Sequence, residues 1–134
     1  MIFKMTGFPR VLSDKVIALE LNGIHYELNC SSNTVGYRVS DDGRFSYFIH
    51  EHIGEDKHDL YGFLFEDELQ LFKQLLKVKG IGPKVALAVC SLGTVGNVKQ
   101  MIRLQAVDAL SAARGVSTEK ARMICLELSR KVGE

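Results

Sequence analysis

The sequence predicts an α+β chain with its two kinds of structure segregated by domain. A five-stranded β unit is expected over residues 1–64 and an all-α unit, built around a repeated glycine hairpin, over residues 65–134. Three observations carry this. Asn22-Gly23 lies between two strand-like runs, the apolar spacing changes from two to helical near Leu64, and a Gly-apolar-Gly segment at Gly80 returns in altered form at Gly115.

In the first half, Ile2 to Phe8 reads as a strand stopped by Pro9. Lys15–Leu21 and Ile24–Asn29 flank Asn22-Gly23, and a type I′ hairpin turn needs φ > 0 at both central positions, which this pair tolerates best. Phe45–Ile53 alternates and is rich in aromatic and β-branched residues, giving a fourth strand, and His58–Leu64 a fifth. Five short strands with tight turns suit a small barrel of the OB type. A five-stranded sandwich or an SH3-like barrel leaves the same pattern.

Beyond Leu64 the period is helical. Leu69, Phe72, Leu75 and Leu76 share a face, and Glu66-Asp67-Glu68 occupy the first turn, where the helix dipole favours acids. A second helix is expected from Pro83 through Cys90. A third is capped by Thr94 and carries Val95, Val98, Met101 and Ile102 on one face. A short fourth covers Val107 to Ala112, and a fifth starts near Thr118 with Ala121, Ile124, Cys125 and Leu128 inward.

The composition, 46% hydrophobic and 25% charged over 134 residues, is that of a globular protein. No apolar run approaches the roughly 18 residues of a membrane span, and the N-terminus does not read as a secretory signal. Cys30, Cys90 and Cys125 are odd in number, widely spaced and set among apolar residues, which points to reduced buried thiols and a cytoplasmic protein. Net charge is only +1, but its distribution is uneven. Residues 1–64 hold six Lys/Arg against nine Asp/Glu, a balance of −3, and residues 65–134 hold eleven against seven, a balance of +4. Any phosphate contact is therefore expected in the second half.

The most informative segment is Lys79-Gly80-Ile81-Gly82-Pro83-Lys84. Two glycines around one apolar residue reverse the chain between helices, with unusual φ and close backbone approach expected at both. Pro83 suits the first helical position, where its missing N–H is not needed. The remaining free N–H groups and the positive end of the helix dipole make an anion site, to which Lys79 and Lys84 add charge. Ile81 is expected to turn inward and lock the hairpin. This is the helix–hairpin–helix arrangement, which holds a nucleic-acid backbone without reading bases. Against it stands a plain interhelical turn with glycine caps and solvated lysines. Arg114-Gly115-Val116-Ser117-Thr118-Glu119-Lys120-Ala121 aligns with the first hairpin, Gly115 on Gly80, Val116 on Ile81, Ser117 on Gly82. Ser117 replaces a glycine and Glu119 brings negative charge, while Arg114, Lys120 and Arg122 offset it. Candidate DNA-binding residues are thus Lys79, Gly80, Ile81, Gly82, Lys84, Arg114, Gly115, Ser117, Thr118, Lys120 and Arg122, although the second copy is equally readable as purely structural.

With those hairpins behind five strands, Glu55-Asp56, Leu60-Tyr61-Gly62-Phe63, Leu71-Phe72-Lys73 and Gly80-Ile81-Gly82-Pro83-Lys84 resemble the RuvA family in order and spacing over the whole chain. The resemblance implies an OB-fold domain, then tandem helix–hairpin–helix motifs, in a tetramer or face-to-face octamer that holds the four arms of a Holliday junction during recombination and repair. It implies a RuvB-like motor and a RuvC-like resolvase as partners. It also implies that Glu55 and Asp56 are acidic pins at the junction centre, where carboxylates repel phosphates. Without it, Gly54-Glu55-Asp56-Lys57 reads as an ordinary wet turn. The family continues through a linker into a third helical domain that engages the motor. This sequence stops at Glu134, so a fragment is the expectation, with a homologue that lacks motor coupling as the alternative.

No catalytic machinery is expected. Gly80-Ile81-Gly82 lacks the third glycine of a dinucleotide fingerprint and follows a helix, and neither a phosphate-binding P-loop nor a G-x-S-x-G elbow is present. A glycosylase needs a base pocket for which two small domains leave little room. His50 and His52 share a strand face and His58 returns near them, yet a solvated barrel face explains them better than zinc, so no metal or other cofactor is expected. Phe45, Tyr47 and Phe48 suit base stacking of the OB kind, with barrel core the stronger reading, above all for Phe45 and Phe48. The alternatives to a junction-binding, non-catalytic subunit are a protein–protein adaptor and an accessory domain with general duplex affinity.

Overall fold

A computed structural model describes residues 1–37 and 43–132 of the chain. The elements are β1 (Lys4–Val11), β2 (Val16–Leu21), β3 (Ile24–Cys30), α1 (Ser32–Val35), β4 (Phe45–Ile53), β5 (His58–Phe63), α2 (Glu66–Leu76), α3 (Pro83–Cys90), α4 (Val95–Arg103), α5 (Val107–Leu110) and α6 (Thr118–Leu128). They fall into two compact units, Met1–Leu69 and Gln70–Glu134.

The five strands close into a barrel in the order β1-β2-β3-β5-β4, as the OB-type reading expects. All neighbours are antiparallel except β3 and β5. Alternation sends Met5, Ile17, Leu19, Leu28, Tyr47 and Ile49 inward. Leu19 and Leu28 are wholly buried, each contributing about 1.5–3 kcal/mol of apolar transfer. Asn22 and Gly23 have φ of 51° and 87°, the turn that the Asn-Gly pair predicts.

β1 changes partner at Gly7. Residues up to Gly7 pair with β4, and residues from Phe8 onward pair with β2. A Cβ at Gly7 would lie 2.2 Å from the Glu20 carbonyl oxygen, so only glycine lets the strands approach this closely. Pro9 does not stop the strand, contrary to expectation, because β1 pairs here with β2 alone and a proline is tolerated on a strand with one neighbour. The parity of β4 also differs from the sequence reading. Tyr47 fills the core, whereas Phe48 lies on the outer face opposite Lys4 and Phe63, and Phe45 packs at the edge of the core. Burial pushes the Cys30 thiol up to about 12, which makes it an inert core residue.

Helix α1 has no counterpart in the sequence reading. Ser31 caps it by accepting the Thr34 N–H, and the turn is held from a distance by Glu68, which is buried. Ser31 donates to the Glu68 carboxylate, whose oxygens are 2.9 and 3.0 Å away, and Asn33 Nδ2 donates at 2.9 Å and Thr34 Oγ1 at 3.3 Å. Desolvation raises the Glu68 pKa, opposed by these hydrogen bonds from Asn33, Ser31 and Thr34.

In the second unit the boundaries of α3 and α4 match expectation, and Thr94 accepts the Asn97 N–H at 3.1 Å as a cap. The fourth helix ends at Leu110 rather than Ala112. Cys90 and Cys125 are buried and form no disulfide among the described residues. Among the described residues no single helix is long and apolar enough to cross a membrane. Replacing Glu68 with alanine leaves the buried Ser31 and Thr34 hydroxyls without their acceptor. It is expected to cost about 1–3 kcal/mol for each group left unsatisfied, read from the urea midpoint, and Glu68→Gln, which keeps one acceptor oxygen, should cost less.

Candidate nucleic-acid interface

The first hairpin is built by three successive constraints. Gly80, in the turn that follows α2, takes φ of 86°, a left-handed conformation that favours glycine, and its solvent side is open. Ile81 is buried, and its N–H donates to the Val78 carbonyl at 3.1 Å, which fixes the reversal. Gly82 then caps α3 with Pro83 as the first helical residue.

Gly82 corrects the sequence reading. Its φ of −92° and ψ of 178° are ordinary extended values, so it is not glycine for conformational reasons. A Cβ there would meet nothing within 4 Å, so the position is not glycine for internal packing either. What glycine provides is bare backbone facing solvent. Gly82 offers no side-chain cap, Pro83 has no N–H, and the N–H groups of Lys84 and Val85 precede any intrahelical acceptor. Exposed Lys79 and Lys84 flank them. The arrangement can receive an anion at backbone distance.

The second hairpin repeats the backbone closely. Gly115 has φ of 86°, Val116 is buried and donates to the Ala113 carbonyl at 3.1 Å, and Ser117 has φ of −76° and ψ of 167°. The helix closes alike in both copies, Ala86 N–H to the Gly82 carbonyl and Ala121 N–H to the Ser117 carbonyl, each at 2.9 Å. The chemistry differs. Ser117 Oγ accepts the Lys120 N–H at 3.2 Å, so one amide open in the first copy is occupied in the second. Lys120 Nζ turns back to the Gly115 carbonyl at 3.4 Å. Arg114, Thr118, Glu119 and Arg122 remain exposed.

The two hairpins touch. A Cβ on Gly115 would stand 3.2 Å from Val85 Cγ2, which places the turn of one copy against the first turn of the helix that opens the other. The sequence places Val85 in the helix that begins at Pro83 but does not announce this contact, because the repeat puts Lys120, not an apolar residue, at the equivalent place.

Glu55 and Asp56 occupy the tip of the β4–β5 hairpin, a turn closed by the Gly54 N–H on the Lys57 carbonyl at 2.7 Å. Both are exposed, and neither forms an ion pair among the described residues. The histidines do not gather. His50 and His52 face one side of β4 with ring centroids 6.1 Å apart. His58 lies on the other side, its Nε2 2.6 Å from Glu51 Oε2, while Glu51 also accepts the Ile2 N–H at 3.1 Å. These bonds from Ile2 and His58 lower the Glu51 pKa. Among the described residues no three metal-binding side chains converge.

Two family models match the chain in succession, "RuvA N terminal domain" over residues 1–62 and "SAM-like Helix-hairpin-helix tandem" over residues 72–130. Curated relatives carry the name Holliday junction branch migration complex subunit RuvA. That of Chlorobaculum tepidum is 37% identical over 90% of this chain and 60% of its own length. That of Bordetella avium is 37% identical over 99% of this chain and 70% of its own, and that of Marinomonas sp. is 36% identical over 100% and 67%. The chain thus spans about three-fifths to seven-tenths of these relatives' length.

The occupied amide in the second copy has a measurable consequence. Ser117→Ala removes the cap and is expected to lower stability by about 1 kcal/mol, whereas Ser117→Gly is expected to cost only a few tenths. Thermal unfolding of both variants checks this, and equal losses would count against the capping role.

Proposed function

Because the chain belongs to the RuvA family, we propose that it binds four-way DNA junctions as the non-catalytic recognition subunit of a branch-migration complex in recombination and repair. The observation that carries this is Gly82, a glycine required by neither its backbone angles nor its neighbours, which leaves bare amides at the start of α3 between two lysines. Backbone amides and lysines grip phosphate without reading sequence, which suits a protein that must accept any junction. Lys79, Gly80, Gly82 and Lys84 form the stronger grip, held in place by buried Ile81. Arg114, Gly115, Ser117, Thr118, Lys120 and Arg122 form a second contact further along the strand, supplied more by charge than by open amides.

Glu55 and Asp56 serve as pins. Their carboxylates stand unpaired at a hairpin tip, and negative charge at a crossover repels phosphates and directs strands into their arms. Four copies about one axis sum this effect, so the working form is a homotetramer, with an octamer formed by facing tetramers. ATP hydrolysis and cleavage belong to separate partners, a RuvB-like motor and a RuvC-like resolvase. Three buried cysteines outside any disulfide accord with a cytoplasmic setting.

A salt series comparing a synthetic four-way junction, an equal linear duplex and a single strand tests the reading. Gly82→Val adds bulk only to open space and should fold normally. Losing one charge-assisted hydrogen bond costs about 1.5–3 kcal/mol, so junction affinity should fall roughly tenfold to a hundredfold. Unchanged affinity would remove the hairpin from the interface, and equal affinity for junction and duplex would favour a general duplex-binding domain. Binding to none of the three would favour an adaptor. Replacing Glu55 and Asp56 with lysine should alter junction conformation, read by fluorescence transfer between labelled arms, more than affinity. Unaltered arm geometry would reduce the pins to a turn.

A further inference from the structure

The outward face of β1 and β4 carries chemistry that the hairpins do not use. Along β1, alternation exposes Lys4, Thr6, Phe8 and Arg10. Arg44, just ahead of β4, is exposed, and Ser46 and Phe48 follow on the same outward side. The register sets Lys4 opposite Phe48 and Thr6 opposite Ser46. Lys4 Nζ lies 5.1 Å from the Phe48 ring centroid, the Arg44 guanidinium 5.7 Å from that of Phe8, and Thr6 Oγ1 2.7 Å from Ser46 Oγ between them. Phe3 and Phe48 form a T-shaped pair with ring centroids 5.6 Å apart. Phe3 and Phe8 remain 51% and 45% exposed, so these rings are not core.

The result is a strip of alternating cation–ring and hydroxyl pairs. Lys4, Arg10 and Arg44 give it three positive charges in a half of the chain whose balance is negative. Glu20, opposite Phe8 on β2, and Asp59, opposite His52 on β5, border it. Along β4 the same face continues through His50 and His52 to the turn that holds Glu55 and Asp56. From Arg44 to His52 the path measures about 27 Å at the rise of a β-strand.

We propose that this strip is a second nucleic-acid site, for one unpaired polynucleotide strand. Rings backed by cations stack on exposed base faces while the cations and hydroxyls meet phosphates. A duplex hides its base faces and gains nothing from the rings. A protein partner would gain from the apolar rings but has no general use for a row of cations, so charge complementarity favours the polynucleotide. The site lies wholly in the barrel and does not depend on the junction reading.

The test uses the full chain with fluorescent oligo(dT), and oligo(U) as the RNA arm, in anisotropy titrations over a salt series. Bromouracil-substituted strands are cross-linked by ultraviolet light and the attached peptides identified. The expected result is salt-dependent binding of one or both strands with cross-links in the peptides holding Phe8 and Phe48. Lys4→Glu combined with Arg44→Glu should weaken single-strand binding by roughly tenfold or more, as two lost charge contacts imply, and leave junction affinity unchanged. Gly82→Val should do the reverse, so the two readings fail separately. Circular dichroism confirms folding, and the pair Lys4→Gln with Arg44→Gln replaces the reversal if it unfolds. Absence of single-strand binding, cross-links confined to the helical half, or affinity unmoved by the substitutions would overturn the proposal. So would a reversal that changes only the association state in sedimentation, since the strip would then be covered by a second copy.

Discussion

A helix cannot satisfy its first amides from within, and at the start of α3 this chain leaves that deficit open to solvent. Everything around the position holds it open. Gly80 supplies the left-handed residue that ends the preceding segment, and Ile81 anchors the turn in the core. Pro83 begins the next helix without offering an N–H of its own. Between them Gly82 adds no atom beyond the backbone. Buried Ile81 and bare Gly82 are adjacent, so one residue fixes the geometry and the next presents it. On the proposed reading, rigidity on the inner side is what lets a weakly directional ligand such as phosphate be held at a defined point.

The barrel solves a different problem, holding a long β4–β5 hairpin whose tip carries two acids. Its closure depends on strands that approach very closely where β1 changes partner, which only Gly7 permits. Glu51 ties the outer part of β4 to the N-terminal segment and to His58 on β5. Glu68 anchors the short α1 turn through donors from Ser31, Asn33 and Thr34. Burying a carboxylate is costly, and among the described residues this one is met by the neutral donors Ser31, Asn33 and Thr34, which keeps the contact directional.

Much of the fold was legible because local chemistry dictates it. Asn22-Gly23 specifies a positive-φ turn wherever it occurs between strands, and Pro83 and Thr94 mark helix starts by the groups they lack or supply. What escaped depends on distant partners. Helix α1 is four residues long and is held by Glu68, far along the chain, so no local pattern announces it. Pro9 reads as a stop unless the strand beside it is known. In Phe45–Ile53 both parities carry aromatic residues, and only the register with β1 and β5 puts Tyr47 inside and Phe48 outside. The candidate site was legible as a motif but not in mechanism, since the sequence suggests that Gly82 is glycine for its angles, and the angles are ordinary.

The two hairpins show how one backbone serves two chemistries. Their φ values, turn hydrogen bonds and helix closures agree almost residue for residue, so the repeat is preserved as geometry. At the cap they diverge. A serine stabilises its helix by taking an amide, and the amide so taken is unavailable to a ligand. A glycine forgoes that stabilisation and leaves the amide open. On the proposed reading, stability and anion binding compete for the same N–H groups, one cap being filled and the other left open. Val85 against Gly115 then sets the two copies side by side, so that, on the proposed reading, the capped hairpin supports the open one. A degraded repeat of this kind is better understood as a division of labour than as a loss, because two open caps side by side would leave both helices without an N-terminal partner.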